Sequence, residues 1–259
     1  MDHAMENPEL NLADAPIIEA VVDIDCDLPP ALDLQDLRAA AGDALRDRYP
    51  KFRQQTIQHV QTGEVEGGLP GLRINQGLGA MQFLKDDGRQ LVQFRPNGFS
   101  FNRLAPYTSL DDYLPDIEAT WGTFRDLAKP IMIRKIGIRM INRIRMPMED
   151  GKLNFGDFLL VPPKLPETGV NLDFLGFLDQ HMAIDADTGN RANIVKTTEV
   201  PQDGTLPLIL DIDVFHPCQT EPGEWTEIRS RIDSIRDLKN RIFRSTLTPR
   251  CLNLFSPSA

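Results

Sequence analysis

Ile131–Met146 reads IMIRKIGIRMINRIRM, sixteen residues with no turn signal among them. Ile136, Ile138, Met140 and Ile144 fall on one side, and Lys135, Arg139, Arg143 and Arg145 on the other. A period of two marks a strand with one buried face, because successive side chains of an extended chain point to opposite sides. Asn142 interrupts the apolar side. A buried amide there must find hydrogen-bond partners, and backbone groups at an irregular edge are the nearest supply.

Asp14–Pro29 carries the same pattern, with Ile18, Ala20, Val22, Ile24 and Cys26 alternating against Glu19, Val21, Asp23, Asp25 and Asp27. Leu34, Leu37, Ala41, Ala44 and Leu45 then follow helical spacing up to a stop near Pro50. Strand-like runs come next at Gln54–Glu64, Leu72–Lys85, Gln90–Arg95 and Phe99–Arg103, parted by Gly67-Gly68, Asp87-Gly88 and Asn97-Gly98. Ser109–Lys129 is predicted as a helix capped by Ser109 or Asp111, with Leu114, Ile117, Trp121 and Phe124 on one face and Pro115 in its first turn.

Beyond the long basic strand, Pro147–Gln180 is Pro-rich and irregular, with a short helix expected around Leu172–Leu178. Strands are predicted at Met182–Asp185, Ala192–Val200 and Leu208–Phe215, with His216-Pro217-Cys218 as a turn after the last. A helix over Glu224–Leu247 turns Trp225, Ile228, Ile232, Ile235, Ile242 and Phe243 inward, and an extended tail follows Pro249.

Strands in consecutive runs predict an α+β fold: antiparallel or mixed sheets with amphipathic helices on one face. The expected organisation is an N-terminal extension (1–14), a first half (15–129) and a second half (130–259), packed as one compact unit. The halves share an order of parts. Each opens with Pro-Ile on a long strand, passes a hairpin at Asp87-Gly88 or Thr188-Gly189, then a turn at Pro96-Asn97-Gly98 or Pro201–Gly204, and closes on an amphipathic helix. This order reads as a degenerate duplication of a β-α-β-β-β-α unit, with Pro147–Gln180 in place of the second copy's first helix.

The composition bounds the function. The chain has 259 residues, 41% hydrophobic and 25% charged, ample for a hydrophobic core, and a net charge of −10. That charge argues against coating duplex nucleic acid or anionic lipid. No apolar run approaches the roughly 18 residues of a membrane span, and MDHAMENPEL has no secretory character. Cys26, Cys218 and Cys251 form no C-x-x-C pair. The expectation is a reduced, cytoplasmic protein.

The chemistry is concentrated on the polar strand sides. Glu19, Asp23, Asp25 and Asp27 on one strand, and Asp211 and Asp213 on another, could pair with the basic strand as cross-strand ion ladders. The same carboxylates (Asp23, Asp25, Asp211, Asp213) have the period-two spacing of a Mg²⁺ site for phosphoryl transfer. Arg139, Asn142 and Arg143, with Arg236, Lys239, Asn240 and Arg241 on the last helix, form a basic surplus suited to an anion or a partner's carboxylates. No P-loop, HExxH or GxSxG is present. The Gly67–Gly71 and Gly77–Gly79 runs read as loops, and His3, His59 and His181 lack a placed nucleophile.

Four segments carry a resemblance: Ala15–Val21 (APIIEAV), Gly98–Tyr107 followed by Ser109, Arg134–Ile144 (RKIGIRMINRI), and Asn240–Phe243 (NRIF) followed by Leu247-Thr248. In that order and spacing the chain resembles a sporadically distributed prokaryotic family of uncharacterised proteins, from about Ala15 to Phe255. Met140 stands where an aromatic is commoner and Leu110 where tryptophan is expected, both as packing changes. The resemblance implies a fold-sized unit and no chemistry; patchy occurrence associates such proteins with mobile-element or defence neighbourhoods.

The expectation is a non-catalytic binding or regulatory protein, without a cofactor, that meets a protein partner or a second copy of itself and neither duplex nucleic acid nor membrane. Arg139, Asn142, Arg143, Asn240 and Arg241 are its candidate contacts. The alternative is a metal- or nucleotide-dependent phosphoryl-transfer enzyme, or a nucleotide-binding protein, using the Asp and Arg faces.

Overall fold

A computed structural model describes residues 12, 14–65, 69–166, 169, 172 and 174–255, with backbone alone at 57–65 and 69–77. The Gly67-Gly68 turn, His3 and most of the N-terminal extension lie outside the described residues, as does the His59 side chain.

The chain is α+β. Among the described residues nine strands, β1 (Ile17–Asp27), β2 (Lys51–Val65), β3 (Leu69–Leu84), β4 (Gln90–Arg95), β5 (Gly98–Leu104), β6 (Met132–Pro147), β7 (Leu178–Ile184), β8 (Arg191–Thr198) and β9 (Thr205–Thr220), join in the order β2-β3-β4-β5-β1-β6-β9-β8-β7. The helices are α1 (Arg38–Leu45), α2 (Leu110–Ala128), α3 (Trp225–Thr246) and α4 (Pro249–Leu252). By compactness the chain divides into two discontinuous units. One comprises 19–138 and 215–233; the other comprises the residues up to Ile18, 139–214 and 234–259.

In the 19–138 unit, β5 lies antiparallel between β1 and β4, with Val22 opposite Phe101 and Ile24 opposite Phe99. Alternation sends Val22, Ile24, Phe99, Phe101 and Phe94 to one buried face. There α2 lays down Leu114, Ile117, Trp121 and Phe124, with the Phe124 ring edge-on to Phe94 at 4.9 Å and Trp121 edge-on to Phe99 at 5.9 Å. Edge-to-face pairs add roughly 0.5–1.5 kcal/mol each beyond their buried area. Ser109 caps α2 by accepting from the Asp112 N–H at 3.2 Å. Pro115, expected in the first turn, is the sixth residue of α2. Burial of the flanking Leu114 and Ile117 carries the helix through despite the missing N–H. Gly98 is required where it stands: its φ is +142° and a Cβ there would meet the Ile24 carbonyl oxygen at 2.1 Å.

In the other unit, Met140, Ile144 and Met146 of β6 and Leu208, Leu210 and Ile212 of β9 are buried, as are Ile235 and Phe243 of α3. The described part of the tail, Pro249–Phe255, is helical and not extended. Thr248 caps α4 with Pro249 in its first turn, and Phe255 is buried with its ring 6.5 Å from Phe243. The helix expected around Leu172–Leu178 does not form. Residues 174–177 belong to no element, Leu178 opens β7, and Asp173 lies outside the described residues. At the start of this stretch Leu160 N–H donates to the Thr246 carbonyl at 3.0 Å and Phe155 and Phe158 are buried; further along, the Phe174 and Phe177 rings each stand edge-on to Phe155 at 5.3 Å. His216-Pro217-Cys218 is not a turn: β9 runs through it to Thr220, with Pro217 exposed. Among the described residues, no helix is long and apolar enough to cross a membrane.

Candidate functional site

The polar side of the 19–138 unit is tied together by side chains. Arg53 Nε donates to Gln82 Oε1 at 2.7 Å, Gln82 Nε2 to Gln93 Oε1 at 2.9 Å, Gln93 Nε2 to Asn102 Oδ1 at 2.8 Å, and Asn102 Nδ2 to Glu19 Oε1 at 2.8 Å. The row crosses β2, β3, β4, β5 and β1, and Gln82 and Asn102 are buried within it. Each amide uses its oxygen to accept and its NH₂ to donate, so an arginine at one end and a carboxylate at the other polarise the row in one direction. Sequence reasoning passed over this row. Its trace is an amide at the outward position of each of three successive strands, Gln82, Gln93 and Asn102.

A second row runs beside it. Arg95 Nη2 lies 3.2 Å from Asp23 Oδ1 and 2.8 Å from Asp25 Oδ1, Ser100 Oγ donates to Asp23 at 2.7 Å, and Lys135 Nζ lies 2.8 Å from Asp25 Oδ2. Asp23 and Asp25 are therefore neutralised by cations from β4, two strands away, and from the adjacent β6. Arg134 pairs with Asp27 at 2.5 Å. Among the described residues, no group of three or more His, Cys, Asp or Glu side chains is placed to hold a metal ion.

The basic candidates sit in the other unit and do not converge. Arg139 forks onto Asp211, its Nε 2.9 Å from Oδ1 and its Nη2 2.6 Å from Oδ2. Asp213 is half-buried and has a partner of its own. Arg143 Nε meets Glu199 Oε2 at 2.7 Å, and Arg241 meets Asp185 Oδ2 at 3.2 Å. Asn142 lies on the opposite side of β6 from both arginines, buried, with Nδ2 donating to the Leu210 carbonyl at 2.9 Å and the Met140 carbonyl at 3.3 Å. Asn240 is half-buried on α3. On the same helix, burial pushes the Lys239 ammonium down to about 8, and Arg236 adds repulsion.

No thiol is poised for chemistry. Burial pushes Cys26 and Cys251 up to about 12, with Asp25 adding to the shift at Cys26, and it raises Cys218 as well. An open cleft of about 450 Å³ beside α1 has Tyr49 and Phe83 as its floor. On its rim Asp43 pairs with Arg46, and the Arg38 guanidinium sits 4.6 Å from the Phe52 ring centre.

The unsatisfied surface lies elsewhere. Nine of the fourteen exposed large hydrophobic residues among those described fall between Leu160 and Ile184. Leu175 is 99% exposed, Met182 84%, Leu178 73% and Ile184 64%. Leu178, Met182 and Ile184 share one side of β7, the terminal strand of the sheet order. On its other side Asp179 Oδ1 meets His181 Nε2 at 2.6 Å and Oδ2 meets Lys196 Nζ at 2.8 Å; the Lys196 bond chiefly holds the Asp179 carboxyl below its ordinary range. In the sequence this flank is an irregular Pro-rich stretch up to Gln180 and a short strand from Met182, and without periodicity in the irregular part exposed and buried leucines read alike.

Comparison with models of known protein families and with curated proteins finds no match.

Proposed function

We propose that this is a non-catalytic binding or regulatory protein whose docking surface is the Leu160–Ile184 flank ending in β7. The observation that carries the reading is the concentration of exposed apolar side chains there. Exposed apolar side chains in this concentration, on a strand that ends the sheet order among the described residues, mark contact with another chain. The neutralisation of Asp23 and Asp25 by Arg95 and Lys135 supports the same reading against phosphoryl transfer. Titration calorimetry with Mg²⁺, Mn²⁺ and a nucleotide panel tests it. No saturable heat is expected, and micromolar binding that disappears in Asp23→Ala overturns it.

We also infer a duplicated ancestry within the resembling family. Read outward from the centre, the order β1-β5-β4-β3 parallels β6-β9-β8-β7, and each half ends in its amphipathic helix, α2 or α3, with β2 as the extra strand. The resembling segments open β1, form β5 and β6 and occupy α3, which are positions of structural duty, as Gly98 and Asn142 illustrate.

A further inference from the structure

We propose that β7 pairs antiparallel with β7 of a second copy of this chain about a two-fold axis at Gln180, joining two sheets edge to edge. The inference rests on reading the Leu160–Ile184 flank as a docking surface, and it names the occupant.

Backbone geometry sets which atoms face outward. Asp185 N–H donates to the Asn190 carbonyl at 2.8 Å, and Thr198 N–H to the Phe177 carbonyl at 3.4 Å. Antiparallel strands bond through every second residue, so the odd-numbered residues of β7 direct their N–H and C=O groups to β8. Leu178, Gln180, Met182 and Ile184 direct theirs to the free edge. A second β7 can therefore join only with even positions opposite even positions, which also keeps apolar side facing apolar side.

Two central registers meet that condition, and the side chains they set opposite one another separate them. With the axis at Gln180, Leu178 lies opposite Met182 of the second copy, twice, and Asp179 opposite His181, also twice. With the axis at His181, imidazole faces imidazole, Gln180 faces Met182, Asp179 faces Ala183 and Leu178 faces Ile184. Only the first sets a carboxylate opposite an imidazole while keeping an apolar pair on the other side of the ribbon; the second confronts two imidazoles. Self-complementarity in both rows is what an isologous interface requires. Unrelated partners would need no such match within LDQHMAI. Nor does β7 carry the proline, lysine or bulge by which an exposed edge avoids its own kind.

The test is light scattering on the full chain, with disulfide trapping. Wild type is expected at twice its 29.2 kDa, and Met182→Lys, which sets an ammonium opposite Leu178 of each copy, at 29.2 kDa with an unchanged circular dichroism spectrum. Under mild oxidation Gln180→Cys is expected to form a covalent dimer, because paired Cα atoms at about 5.5 Å lie within disulfide reach; His181→Cys, offset by two residues, is not. Wild type as a monomer throughout the micromolar range overturns the proposal, as does trapping through His181→Cys but not Gln180→Cys. A monomer that still ignores metals and nucleotides overturns self-pairing alone. Nucleotide binding lost in Asp23→Ala overturns the docking reading instead.

Discussion

The two ends of the strand order are built on opposite principles. β2 begins with Lys51, Arg53, Gln54, Gln55 and Thr56, has a register shift between Gln55 and Thr56, and keeps its one apolar side chain in that run, Phe52, beneath Arg38. Charge, a bulge and a covering guanidinium are three ways to discourage a further strand. β7 has neither a bulge nor a covering guanidinium, ties its one carboxylate, Asp179, to Lys196, and exposes Leu178, Met182 and Ile184. Behind β2, polar side chains satisfy one another across five strands; at β7 the unsatisfied groups face outward. The difference shows that exposure by itself says little about function. What matters is whether the exposed groups already have partners.

Urea unfolding of the monomer, with light scattering alongside, can break or sharpen that contrast. Arg95→Ala should produce the largest loss, about 3 kcal/mol, because it leaves Asp23 and Asp25 part-buried without their shared cation; self-association should not change. A variant that unfolds like wild type would mean the polar rows near β2 contribute nothing to folding.

Lys239→Met should act in the opposite direction by about 1–3 kcal/mol at pH 7. The folded state lowers this lysine from 10.5 to about 8, so the penalty for its charge is fully present below pH 8 and fades as pH rises to 10.5. Wild-type stability relative to the variant should accordingly climb across that window. A flat difference between the two proteins would show that the ammonium is solvated in the folded chain.

Gln93→Leu should cost about 1–2 kcal/mol, since it strands the buried Gln82 and Asn102 amides on either side. For the half-exposed pair Arg139–Asp211, a double-mutant cycle should give a coupling of only about 0.2–1 kcal/mol. Arginine variants more stable than wild type would point to a cluster holding repulsion for an anion. The smallest effect on folding belongs to β7: Ile184→Glu should stay within about 0.5 kcal/mol in the monomer while weakening self-association. A large folding loss there would mean the side chain is structural and the contrast between the edges false.

Much of the fold was legible because it rests on local periodicity. The alternation of β1 and β6, the Ser109 cap and the inward face of α3 depend on spacing along the chain. Local rules erred where tertiary contact overrode them. Pro115 is carried inside α2 by the aromatic core, the tail folds because Cys251 and Phe255 find cover, and β9 continues through Pro217. The ion partners of Arg139, Arg143 and Arg241 could not be read, because strand order chooses which carboxylate meets which cation.

By itself, the sequence determined which residues alternate, where the helices are capped, and that acidic and basic strand sides exist to be matched, since each depends on neighbours a few residues away. Tertiary structure alone decided that Gln82, Gln93 and Asn102 join into one row, that Asp23 and Asp25 share Arg95, and that β7 ends the sheet order with its apolar side bare. The physical reason is the same in each case. Hydrogen bonds and ion pairs between strands, and the exposure of an edge, depend on sheet order, and sheet order is set by packing between segments as much as a hundred residues apart.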